Sequence, residues 1–177
     1  MLENFEIDLK TIEMDEKCFS YSLDDSFFTD IEAQDITGGH LGAQVHVKNN
    51  AASYELSLHV DGNITIPCDR CLDDMIQPIN ADSVLKVKFG PSYLDEGDDL
   101  IIVPEDEGKI NVAWFLYELI ALAIPIYHAH NDGECNEEMM KILKEHTNQN
   151  LSDGEDVVDG SNVDPRWNDL KNLLNNN

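Results

Sequence analysis

The residues best placed for chemistry are two thiols three positions apart, in the run Ile66-Pro67-Cys68-Asp69-Arg70-Cys71-Leu72. A Cys-x-x-Cys turn at the end of a strand lets both sulfurs point at one small volume, which suits a metal ion or a disulfide. Structural zinc takes four soft or borderline donors in a tetrahedron, so this pair is half a site. No second Cys-x-x-Cys exists. The other cluster with suitable atoms is His128, His130 and Cys135. Three cysteines and one histidine would then tie the sheet edge to the stretch near Cys135. Plain structural thiols and a redox pair are the alternatives at this point. A redox motif is usually followed by a helix, and Asp73, Asp74 and Pro78 leave room for only a short segment. Cys135 with His128 can also be read as a nucleophile and base, but no oxyanion or orienting motif accompanies them.

The pattern of alternation says what must position these groups. Phe5, Ile7 and Leu9 alternate with Glu6, Asp8 and Lys10, as in a half-buried strand. Residues 18–36 are mixed in period, and Gly38-Gly39 reads as a break. Ala43, Val45 and Val47 form one strand and Tyr54, Leu56, Leu58 and Val60 the next, joined as a hairpin. Parity then predicts a three-residue loop between Val60 and Ile64, which sets Leu56 against Cys68 and aims Cys68 at the buried face. Pro67 donates no ladder hydrogen bond, so this strand should be an edge or end in a bulge. Leu85, Val87 and Phe89 mark a strand closed by Gly90-Pro91, and Leu100-Ile101-Ile102-Val103 a short one between acidic loops.

Asn111 is a plausible cap for a helix over about 112–123 that has almost no polar face and so should pack deep in the domain or against a partner. Pro125 stops it. Asn136 can cap a second helix, with Glu137 and Glu138 in its first turn. Residues 147–163 read as an acidic flexible linker, and Asp164-Pro165-Arg166-Trp167 opens a closing helix over 164–177. The expectation is an α+β domain over 1–146: an antiparallel sheet, flat or curled towards a barrel, covered by one buried helix, then a short helix, the linker and the C-terminal helix.

Thirty-six acids against eleven bases give a net charge of −25. Such a surface repels phosphate backbones at long range and favours basic partners. Two positions could still meet RNA. Arg70 lies inside the cysteine turn, where a salt bridge to Asp69, Asp73 or Asp74 is the plainer role. Arg166 beside Trp167 could stack on a base, with helix capping and docking as the plainer role. The start, Met1-Leu2-Glu3-Asn4-Phe5-Glu6, lacks a basic and an apolar signal region, and the apolar stretch from Val112 to Ile126 carries Glu118 and is too short for a bilayer. Four scattered cysteines fit a reducing, cytoplasmic setting. No phosphate-binding glycine loop, serine elbow or His-Glu-x-x-His occurs, so no small-molecule substrate is evident.

Cys68-Asp69-Arg70-Cys71-Leu72 after a strand, the apolar helix ending in Pro125, the stretch from His128 to Cys135 and the closing Asp164-Pro165-Arg166-Trp167 together resemble the bacterial YceD family. The resemblance runs from about residue 36 to the end. It implies a non-catalytic, metal-binding factor for accumulation of large-subunit ribosomal RNA, with ribosomal RNA or a basic ribosomal protein as partner. The ligands it implies are Cys68, Cys71, Cys135 and His128, with His130 the alternative fourth, and zinc the cofactor. The family pattern carries more cysteines after the helix; here Cys135 alone stands there. A thiol or metal-dependent enzyme and an acidic interaction module are the rival classes.

Overall fold

Period-two alternation builds the centre of the fold. Ala43, Val45 and Val47 are buried along one strand, and Leu56, Leu58, Val60, Ile64 and Ile66 along the next, while most residues between them face outward. In chain order the computed structural model has β1 (Glu6–Asp8), β2 (Lys17–Leu23), α1 (Asp25–Asp30), β3 (Gly38–Asn49), β4 (Tyr54–Pro67) and β5 (Asp74–Gly90). Then come β6 (Leu94–Asp95), β7 (Leu100–Pro104), β8 (Lys109–Asn111), α2 (Ala113–Ala123) and α3 (Glu137–His146). It describes residues 2–12, 16–95, 97 and 100–146. The expected linker over 147–163 and closing helix over 164–177, with Arg166 and Trp167, lie outside the described residues. Residues 1–143 form one compact unit.

The architecture is mixed α+β and mostly sheet. Six strands lie in the order β2-β3-β4-β5-β7-β6, and β1 pairs separately with β8. The six-strand row has two free ends, so the sheet is not closed into a barrel. Nor is it antiparallel throughout, as the alternation suggests: β7 runs parallel to β5, with Lys86 opposite Leu100 and Gly90 opposite Pro104. The chain leaves β5, overshoots one strand position, reverses as β6 and reverses again as β7 into the gap. Two reversals return it to the direction of β5.

The loop expected between Val60 and Ile64 is absent. The chain runs straight through, and β4 is a single strand of 14 residues paired along its length with β3 and β5. Parity is the same either way, because Leu56, Leu58, Val60, Ile64, Ile66 and Cys68 are all buried even-numbered positions. Gly62 takes the inward place between Val60 and Ile64. Its φ is +149°, and a Cβ there would lie 2.5 Å from the His40 carbonyl oxygen and 2.7 Å from Leu41 Cα. A side chain is therefore refused where β3 passes closest. The expected break at Gly38-Gly39 likewise falls inside a strand, since Gly39 pairs with Ile64. Pro67 ends β4, and Pro78 sits on the part of β5 that, among the described residues, pairs with β4 alone.

α1 fills the stretch whose period is unclear. The Asp24 carboxylate accepts from the backbone N–H of Ser26 and Phe27 and starts the helix, which buries Phe27 and Phe28. α2 packs on β5 and β4. Its Ala113, Leu116 and Ile120 are buried on one stripe, but Trp114 is 53% and Leu122 86% exposed. The helix is therefore a lid with a wet apolar face, not a rod buried all round. Asn111 caps it from one position further out than expected: Val112 is the cap residue, and Asn111 Oδ1 accepts from Ala113 N at 2.9 Å.

Candidate metal centre

The inward parity of β4 carries past its end and delivers Cys68 to the interior, where it is fully buried. The chain then turns. Leu72 N–H donates to the Cys68 carbonyl and Cys68 N–H to the Asp73 carbonyl, both at 2.9 Å. Leu72 takes a positive φ of 64° to complete the reversal. The turn brings Cys71 back beside Cys68 and buries it as well. Arg70 N–H lies 3.4 Å from Cys68 Sγ, an amide donating to sulfur. That contact favours the thiolate form.

The two middle residues of the motif fasten this turn to the chain that leaves α2. Asp69 N–H donates to the His128 carbonyl at 3.0 Å, and His128 N–H donates to Asp69 Oδ2 at 2.8 Å. Arg70 donates from Nη2 to the His130 carbonyl, and its Nη1 lies 3.6 Å from Asp132 Oδ1. The anticipated partners Asp69, Asp73 and Asp74 are not those of the guanidinium. It reaches across the seam instead. Asn136, which caps α3 through Glu138 N–H and Met139 N–H, also donates to Asp73 Oδ2 at 3.1 Å.

This seam brings four side chains together. The ligand atoms of Cys68, Cys71, His130 and Cys135 all lie within 4.8 Å of one another. Cys68 Sγ is 4.0 Å from Cys135 Sγ, and Cys71 Sγ is 3.4 Å from His130 Nδ1. A tetrahedral ion with Zn–S near 2.3 Å and Zn–N near 2.0–2.1 Å needs sulfurs about 3.8 Å apart and sulfur–nitrogen pairs about 3.6 Å apart. The donor set and its spacing fit such an ion. The far nitrogen supports this: His130 Nε2 lies 3.2 Å from the Asp74 carbonyl oxygen. A proton there leaves Nδ1 as a lone pair facing the sulfurs, the arrangement that holds a ligating imidazole.

The protonation pattern says what the cluster wants. Burial pushes the Cys68 thiol up, but backbone N–H groups of Cys71, His130 and Arg70 outweigh it and hold the thiol down to about 6. Burial, then hydrogen bonds to Cys71 and Cys68, pushes Cys135 up to about 11. His130 is raised, first by its contact with Cys68. One thiolate is stabilised here and a second is resisted. A bound cation is what would let all three sulfurs ionise.

The histidine in this group is His130. His128 lies on the seam, its Nδ1 3.1 Å from the Pro125 carbonyl oxygen and its Nε2 3.6 Å from Asp69 Oδ1. A signal for the choice was present in the spacing. Ligands closing a zinc site typically stand with about three to five residues between them. Residues 131–134 separate His130 from Cys135, whereas residues 129–134 separate His128 from it. Nothing in the sequence announced that Asp69 would be the hinge of the seam. Among the other histidines, His59 pairs with Asp82 at 2.7 Å and His46 Nε2 lies 3.6 Å from Cys18 Sγ, all on the outer face of the sheet.

Fold and site together define a small α+β domain in which four soft or borderline donors, close enough to hold a metal ion, join a sheet end to the loop after a helix. The family described as Large ribosomal RNA subunit accumulation protein YceD matches residues 56–174, a span that contains all four donors. The match covers more than half of the chain, and the chain belongs to that family. No curated protein and no solved structure matches it. Among the described residues, no helix is long and apolar enough to cross a membrane.

Proposed function

We propose that this chain is a non-catalytic cytoplasmic factor in large ribosomal subunit biogenesis, whose recognition surface is held in shape by one zinc ion on Cys68, Cys71, His130 and Cys135. The family name supplies the link to large-subunit ribosomal RNA. The observation that carries the mechanism is the meeting of three sulfurs and one imidazole nitrogen within 4.8 Å. Four protein donors fill a tetrahedron and leave no open position, which is the pattern of a structural site and not of a catalytic one. The metal would replace a missing covalent link between the β4 end and the loop after α2. Asp69, Arg70 and His128 position that loop. With a net charge of −25, the contact to RNA runs through a basic ribosomal protein.

Elemental analysis of the native protein with a thiol count tests the metal: one zinc per chain and three protected thiols are expected. His130→Ala should abolish stoichiometric zinc, and His128→Ala should keep it. Four accessible, metal-free thiols in the native protein would end the metal reading. Co-sedimentation with large-subunit precursors tests the cellular role. Binding of the isolated protein to purified ribosomal RNA should be weak at physiological salt, and tight binding there would overturn the indirect route.

A further inference from the structure

At the other end of α2 the surface opens into a groove of about 790 Å³. Its aromatic side is Tyr93, Trp114 and Phe115, with Tyr93 59% and Trp114 53% exposed. Its acids include Asp95, Glu107 and Glu118. The lone lining cation, Lys109, is already paired with Glu6 at 2.7 Å. Among the described residues no cation forms an ion pair with the other three acids. Trp114 Nε1–H donates to Glu118 Oε1 at 2.9 Å, so the indole has no polar need left and offers only its ring. Tyr93 is raised, by burial first and then by the charges of Asp95 and Glu118, so the two carboxylates act on one spot.

From this geometry we infer that the groove binds an arginine-rich extended segment of a basic protein. The inference rests on the proposed basic partner and names where it docks. A guanidinium is the group that gains from both walls, stacking on an aromatic face while its fork meets carboxylates. The volume falls within the roughly 300–1,000 Å³ of sites that enclose a compact ligand. Other occupants fit worse. These carboxylates do not converge as metal ligands do: among the described residues, the Cys68 cluster is the only group close enough to hold an ion. Phosphate backbones are repelled. A second copy carries −25, and the chain's own residues 147–177 hold six acids and two bases, so both bring the wrong charge.

The test is titration of the full-length protein with a fluorescent oligo-arginine peptide at about 0.15 M salt. Trp114→Ala, and separately Glu107→Gln with Glu118→Gln, should each weaken binding about tenfold. Glu16→Gln with Asp35→Asn removes the same two charges elsewhere and should change it less than about twofold. Trp114→Phe keeps a ring and should keep most of the binding, and circular dichroism of all variants should match the parent. Equal weakening by both charge pairs would overturn the groove, leaving only diffuse attraction to an acidic surface. So would oligo-lysine binding as tightly as oligo-arginine with no effect of Trp114→Ala. Light scattering that shows a dimer dissociated by Trp114→Ala would assign the groove to a second copy instead. Precursor co-sedimentation reads the ribosomal role separately: if it fails while the peptide still discriminates, the groove stands and that role falls.

Discussion

Leaving the C-terminal end of α2, the chain folds straight back onto the sheet, and most of its polar groups are spent on internal partners, Arg70 Nε being buried without one. Asp69 takes His128 N–H, Arg70 takes the His130 carbonyl, Asn136 takes Asp73, and His130 Nε2 faces the Asp74 carbonyl. At the N-terminal end, Asp95, Glu107 and Glu118 stand round exposed rings, and among the described residues none of the three forms an ion pair. The same helix thus borders one region whose polar groups are mostly matched from within and another whose charge is, among the described residues, mostly unmatched. A matched region resists change because each lost partner strands another buried group, whereas an unmatched one gains from something outside. Substitutions should therefore lower stability at the first end and lower binding at the second.

The largest effect should follow Cys68→Ser or Cys135→Ser. Each removes one of four donors from a site whose binding energy is also folding energy, and a loss of about 3–5 kcal/mol is expected in denaturant unfolding. Elemental analysis should show the metal gone. A chelator should destabilise the parent by a similar amount and leave Cys68→Ser unchanged, since there is nothing further to remove. If parent and variant unfold at the same denaturant concentration, the matched end holds itself without metal.

Gly62→Ala comes next, because it disturbs the strand that delivers Cys68. The new Cβ would meet backbone atoms 2.5 and 2.7 Å away, in a conformation that side chains rarely take. A cost of about 2–3 kcal/mol is expected from strain and overpacking. Asp69→Ala should cost less, about 1–2 kcal/mol, for the lost acceptor of His128 N–H. Its more specific signature is kinetic. With the seam loosened, a chelator should strip metal faster than from the parent, while one metal per chain still binds.

How far the sequence foretold this depends on what a two-residue period can and cannot encode. It placed Cys68 on the buried face correctly, yet by way of a loop that does not exist. A three-residue loop and a straight strand with glycine inward keep the same parity, so alternation alone cannot separate them. The deciding fact is the close passage of His40 and Leu41 over Gly62, a tertiary contact. The parallel placement of β7 is hidden for the same reason: pattern marks a strand but not its neighbour. In α2, composition suggested burial in the domain or against a partner, and could not say which residues the domain itself would leave uncovered, as it does Trp114 and Leu122. The thiols and their partner loop were legible because donor types are few and their spacing is constrained. The seam between them was not, since Asp69 and Arg70 look like any charged pair in a turn.

The smallest stability effect should come from the exposed side of α2, and it sharpens the contrast most. Leu116 is fully buried, and Leu116→Ala should cost about 2–5 kcal/mol through lost burial and a residual cavity. Two positions earlier, Trp114 keeps about half of its surface in water, bonds Glu118 and leans on Tyr117 with ring centroids 5.4 Å apart. Trp114→Ala forfeits that packing but gains helix propensity of about half a kcal/mol. The net change in unfolding free energy should fall within about 1 kcal/mol. Thermal and denaturant unfolding of the two variants side by side measure the gap. Should Trp114→Ala cost as much as Leu116→Ala, the indole belongs to the core, and the difference between the two ends of the helix disappears. A small cost joined to a large loss of oligo-arginine binding is the signature of a surface kept open for a partner.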